Sequence, residues 1–108
     1  MQQTYTSVLA RRVTIDDVYS TQPYEAGWAR EAVLFVQVEG AHPDLALTAE
    51  ISPDGITWIA RGGPTTLAAG DTIAEVPVAN FGNWLRLTVT GATAAEPARI
   101  LVHVNGKG

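Results

Sequence analysis

Residues 84–90 read WLRLTVT, so Leu85, Leu87 and Val89 alternate with Trp84, Arg86, Thr88 and Thr90. Successive side chains of a strand point to opposite faces, so this segment carries one apolar face and one largely polar face. The same period of two returns in residues 98–104, ARILVHV, where Ala98, Ile100, Val102 and Val104 oppose Arg99, Leu101 and His103. It returns again in residues 45–51, where Leu45, Leu47, Ala49 and Ile51 oppose Ala46, Thr48 and Glu50. No stretch shows the 3.6-residue recurrence of an amphipathic helix. The chain therefore reads as all-β, and these three segments read as antiparallel strands with one face in the core.

Outward from these segments, residues 31–39, EAVLFVQVE, are apolar on both faces in their first half, which predicts a central strand covered on both sides. In residues 52–55, SPDG, Pro53 presets a turn, Asp54 tolerates the bridge region and Gly55 supplies positive φ. A hairpin turn is expected there. Residues 56–60 would return antiparallel and place Trp58 in the core or at its rim, with Gly62, Gly63 and Pro64 ending the strand. Weaker strands are expected at 11–15 and 72–78, the second at a sheet edge because Pro77 cannot donate to a ladder. Residues 16–30 have no clear period and read as a long ordered loop, and residues 39–43, 80–83 and 91–97 read as turns. Seven or eight short strands at this spacing predict one antiparallel β-sandwich over residues 1–108, with a jelly-roll-like barrel as the rival architecture.

Composition narrows the function. With 46% hydrophobic residues in 108, there is material for one core and not for two. Cysteine is absent, which removes thiol nucleophiles, redox pairs and cysteine-ligated zinc. Seven Lys plus Arg against eleven Asp plus Glu give a net charge of −4, the wrong sign for a surface that tracks phosphates, so nucleic acid is not an expected partner. No apolar run approaches the roughly 20 residues that span a bilayer, and the start MQQTYTSVLARR lacks a basic stretch followed by a long apolar one. A soluble, unprocessed chain without a membrane partner is expected.

No constellation of residues forces a reaction. His42 sits in a polar turn and His103 on the outer face of its strand, with no nucleophile marked beside either. The carboxylates of Asp16, Asp17, Asp54 and Asp71 lie in or near turns, but their spacing lacks the alternation of a calcium loop, so no metal or cofactor is expected. The aromatic residues are more informative. By alternation Trp84 and Arg86 share the outer face of their strand, a face that gains Leu101 and His103, and also Val33 and Phe35, if those strands are neighbours. Such a face is too apolar to be left to water. Either another subunit covers it, or the 16–30 loop does, with Tyr24 and Trp28 folded over it. Trp84, Arg86, Phe35, Tyr24, Trp28, Leu101 and His103 are therefore the candidate contact residues.

Residues 45–58, LALTAEISPDGITW, together with residues 83–90, NWLRLTVT, resemble small β-sandwich modules of phage structural proteins. In these a strand ends in a serine, an Asp-Gly turn and a tryptophan, and a later strand reads W-L-R-L. The resemblance spans roughly half the chain. It implies a non-enzymatic virion component, of capsid-decoration, tail or spike type, made in the host cytoplasm and contacting copies of itself and other virion proteins. A Ser-x-Asp-Gly-x-Thr-Trp hairpin also occurs in carbohydrate-binding and adhesive sandwiches. The alternative is thus a glycan-binding module in which Trp84, Trp28 and Tyr24 stack on sugar rings.

Overall fold

Ten strands, in chain order, build the computed structural model, which describes residues 4–79 and 81–108. They are β1 (Thr4–Ile15), β2 (Tyr19–Ser20), β3 (Tyr24–Glu25), β4 (Glu31–Glu39), β5 (Leu45–Ser52), β6 (Ile59–Ala60), β7 (Thr65–Leu67), β8 (Ile73–Ala79), β9 (Trp84–Thr90) and β10 (Ala98–Lys107). Among the described residues there is no helix. The strands form two antiparallel sheets: a four-stranded sheet ordered β1-β10-β4-β8, and a six-stranded sheet in which β9 and β5 pair centrally. Along the free edge of β9 lie β2 and β3, and along that of β5 lie β6 and β7. Each sheet is thus four columns wide, and the two sheets remain separate. The architecture is the expected sandwich.

The alternation sets which face is buried. Leu85, Leu87 and Val89 of β9 and Leu45, Leu47 and Ala49 of β5 face Ala98, Ile100, Val102 and Val104 of β10 and Leu34 and Val36 of β4. All of these are buried, as the period of two predicts. Leu67 closes the core beside β5, and Val76 and Val78 close it beside β4. The edge position of β8 also agrees with the sequence. Its partner is β4 alone, and Pro77 sits opposite Val33 where its missing donor costs no ladder bond.

Five expectations need correction. The strand expected at 11–15 begins at Thr4, because register shifts between Val8 and Ala10 and between Ala10 and Val13, with Arg12 at φ 48, break the alternation that would mark its first half. The last strand runs on to Lys107 through pairs with Glu31 and Ala32. The 16–30 segment is not simply a loop. It supplies β2 and β3, and between them Thr21 is buried, its hydroxyl accepting the Leu87 amide at 3.0 Å while its own amide donates to the Leu87 carbonyl at 2.9 Å. The return strand after the hairpin shrinks from 56–60 to Ile59–Ala60. Finally β4 is interior within its sheet, but only its inner face is packed; Val33 and Phe35 on the other face are half-buried. The strand count exceeds seven or eight because β2, β3 and β6 are two-residue pairings, too short to carry a period. Of the turn expected at 80–83, Asn80 lies outside the described residues.

Leu87, fully buried, has its neighbours fixed by ladders on both sides of β9, so little collapse can fill the space left by its removal. Leu87→Ala is expected to lower unfolding free energy by roughly 2–5 kcal/mol in a urea titration, with an unchanged denaturant slope.

Candidate functional site

The hairpin between β5 and β6 occupies the outer face of the six-stranded sheet. Ser52 is buried, its hydroxyl donating to Asp54 Oδ1 at 2.9 Å and accepting the amides of Asp54 at 3.2 Å and Gly55 at 2.8 Å. Asp54 Oδ1 in turn accepts the amides of Ile56 and Thr57, each at 2.8 Å. These donors, Thr57 first and then Ile56 and the Ser52 hydroxyl, hold the Asp54 carboxyl below its ordinary value against a small opposing desolvation. Gly55 adopts φ 78, and a Cβ there would stand 3.3 Å from the Trp84 ring. Trp84 therefore lies on the turn. Asp54 accepts the turn amides and Gly55 takes the positive φ, and the loop reaches residue 58 before pairing resumes.

Beyond Trp84 the same face is internally satisfied. Arg86 Nε donates to Glu50 Oε1 at 2.7 Å, and its guanidinium carbon lies 4.4 Å from the centre of the Trp58 ring, a cation–π stack. Thr88 donates to the same Glu50 oxygen at 2.5 Å, and Ser20 and Thr88 share a hydrogen bond of 2.8 Å. Trp58 thus belongs to the outer face and not to the core. It is half-buried over Arg86 because the loop folds back across β9. Of the two covers considered for this face, another subunit or residues 16–30, the second does not lie here; residues 52–58 of the chain itself do.

Tyr24 and Trp28 are elsewhere. Tyr24 pairs with Leu85 and so shares its inward face; its hydroxyl accepts a 3.4 Å hydrogen bond from Ser7 of β1. Trp28 packs edge-on to Tyr5, with ring centroids 5.1 Å apart, and covers Gly106, where a Cβ would come within 2.7 Å of the indole. Glycine is required at that contact. The two aromatics close one end of the sandwich and form no platform with Trp84.

The remaining three candidates lie on the opposite side of the molecule. Phe35, Leu101 and His103 face outward from the four-stranded sheet, in cross-strand rows that the register specifies: Val8, His103, Phe35 and Glu75; then Leu101, Gln37 and Ile73. Thr6, Asn105, Val33 and Pro77 form the row above. Val8 and Ile73 are exposed, and Val33, Phe35, Leu101 and His103 are half-buried. Val8 and Ile73 were not among the sequence candidates. Period-two parity marks Ile73 as readily as Phe35, but the strand order that places it in this row is not legible locally, and the bulges of β1 hide Val8. At one end of this face Glu39 takes Arg12 at 2.7 Å and Arg99 at 3.8 Å.

Other candidate chemistry does not converge. The His42 ring nitrogens each lie 2.7 Å from a carbonyl oxygen, of Pro43 and of Asp71, which ties two loops together far along the chain from His103. Asp17 caps the amide of Val18, and Asp44 holds the amide of Ala69. Among the described residues no three His, Asp or Glu side chains gather where they could hold a metal ion.

Residues 28–108 match the family model described as a domain of unknown function, DUF6385. The chain belongs to this family. The matched part contains β4 to β10, so it holds both sheets but omits β1, β2 and β3, the edge column of each. No curated protein matches the sequence. Among solved structures, the chain is similar to the PBSX exported protein XepA, at 15% identity over 96% of this chain with a TM-score of 0.73; the chain spans 37% of that protein's length. It is also similar to the SPBc2 prophage-derived protein YomS, at 8% identity over 98% of this chain and 96% of that one with a TM-score of 0.55. A third similar structure belongs to Bacillus endospore appendages, described as disulfide-linked pili, at 17% identity over 98% of this chain and 86% of that one with a TM-score of 0.54. These likenesses establish the sandwich as a recurring fold.

Two predictions come from the hairpin. Gly55→Val, with a branched side chain at positive φ against Trp84, is expected to cost roughly 1–3 kcal/mol in a thermal or urea melt. Because the Asp54 carboxyl is lowered in the folded state, its stabilising contribution is complete above its ordinary value of 3.8 and lost as pH falls through the folded value. Asp54→Asn should therefore flatten the acid limb of the stability–pH profile and leave its shape near neutrality unchanged.

Proposed function

We propose that this chain is a non-enzymatic structural subunit of a phage-like particle, of virion-surface or capsid-decoration type, which assembles with copies of itself and with other virion proteins. The observation that carries the reading is the likeness of the whole sandwich to SPBc2 YomS, described as prophage-derived, alongside its likeness to the PBSX exported protein XepA. The endospore appendage subunit, an assembling protein on the same fold, points the same way. That protein is linked by disulfides, whereas this chain has no cysteine, so its assembly must be held by non-covalent contacts. The geometry supplies a surface for them in the apolar outer face of the four-stranded sheet. A glycan platform of Trp84, Trp28 and Tyr24 has less support, since the fold separates the three rings.

The test is where the chain goes in the cell that encodes it. Its peptides are expected to band with density-purified phage-like particles and to resist a high-salt wash. Recovery only in the particle-free fraction would overturn the reading.

A further inference from the structure

The geometry points to a two-fold symmetric dimer in which the outer face of the four-stranded sheet stacks on the same face of a second copy, with β10 of each chain lying over β4 of the other. The inference rests on the reading of the chain as self-assembling and names the surface and partner.

A sheet can recruit another chain at its edges or on its faces. Both edges of this one are blunted: β8 carries Pro77 in its ladder, and β1 is broken by two register shifts. The inner face is core. The outer face remains, and its middle rows hold Val8, His103, Phe35, Leu101 and Ile73, with Gln37 and Glu75 as the polar residues among them. The central strands of the other sheet differ on their outer face, because Glu50, Arg86, Thr88 and Ser20 satisfy one another and Trp58 covers the guanidinium, and the exposed Ile56 and Ile59 lie in the hairpin loop and edge strand β6.

This face is also self-complementary. β10 and β4 are the two central strands, and their register pairs Lys107 with Glu31, His103 with Phe35 and Arg99 with Glu39. All six side chains point outward by parity. A two-fold axis lying in the interface, parallel to the strands and between β10 and β4, exchanges the two columns. It sets Arg99 of one copy over Glu39 of the other, Lys107 over Glu31, and His103 over Phe35, each contact occurring twice as an isologous interface requires. The end residues, four positions from the middle pair, stay opposed only where the two sheets stack with their strands nearly parallel to the axis, the small-angle end of the range over which sheets pack. Arg99 and Glu39, already paired within each chain, and Lys107 and Glu31 thus meet their opposites across the axis, while Phe35, His103 and Leu101 meet in the middle with Gln37 among them.

Four strands about 4.8 Å apart and nine residues at about 3.3 Å each give a face of roughly 19 by 30 Å in plan. Once side-chain relief is included, that is comparable with the roughly 800 Å² that each partner contributes to an interface of standard size.

Sedimentation of the purified chain tests this. The wild type is expected to associate in the micromolar range, and Phe35→Asp with Leu101→Asp to weaken association at least tenfold without a change in the far-ultraviolet spectrum. Two charge variants keep the test independent of any folding defect. One carries Arg99→Glu and Lys107→Glu, the other Glu31→Lys and Glu39→Arg. Each alone opposes like charges across the proposed axis and should run as a monomer, while an equimolar mixture should recover the wild-type mass as a heterodimer. Mixing without recovery would overturn the two-fold geometry. A wild type that associates but ignores all four charge changes would place the interface elsewhere, leaving self-assembly intact. A wild type that stays monomeric at a hundred micromolar would overturn the dimer itself, whatever the particle fractionation gives.

Discussion

β10 lies between β1 and β4 and is hydrogen-bonded to both along nearly its whole length, from Ala98 to Lys107. The four-stranded sheet cannot close without it, since β1 and β4 have no ladder with each other. Its inner residues Ile100, Val102 and Val104 form the floor of the core on which β5 and β9 rest. Its outer residues alternate with them, so the same ten residues that hold the core also determine which side chains the outer face displays. The core cannot be kept while this face is shifted by one position, because a one-residue slip in register would send Ile100, Val102 and Val104 into water.

The other sheet handles its outer face differently. There a local device, the loop after β5, folds back over the strand it follows. Ser52 and Asp54 supply the amide acceptors that a tight turn leaves wanting, and Gly55 removes the side chain that would push Trp84 away. Trp58 then arrives over Arg86, which Glu50 already holds. An exposed pair of this kind contributes modestly on its own, but here both side chains are half-buried and the aromatic ring limits solvent access. The most conspicuous residues of the sequence, a tryptophan and an arginine two apart on one strand, are thereby occupied within the chain.

That division makes the two faces unequal. One is a polar network with its donors and acceptors matched; the other mixes Val8, Val33, Phe35, Leu101 and Ile73 with Gln37, Glu75 and Asn105 and carries charges at its ends. The family match covers β4 to β10, so the strands that create both faces lie within the part that defines the family, and the edge columns β1, β2 and β3 lie outside it.

The sequence by itself determined the all-β class, the bounds of β4 and β9, the inner residues of β5, β9 and β10, the edge position of Pro77 and the positive φ of Gly55, because each follows from alternation or turn chemistry within a few residues. It determined equally that Trp84 and Arg86 share an outward face. It did not reveal β2 and β3, which are too short for a period, nor the first half of β1, whose bulges erase one. Only the tertiary structure decided that Trp84 and Phe35 stand on opposite sides of the molecule, that Trp58 leaves the core for Arg86, and that Trp28 seats on Gly106. Parity within a strand is set by adjacent backbone geometry, whereas the order of strands is set by which distant segments bury the most apolar surface together, and residues 34 and 104 meet in this core across 70 positions of chain.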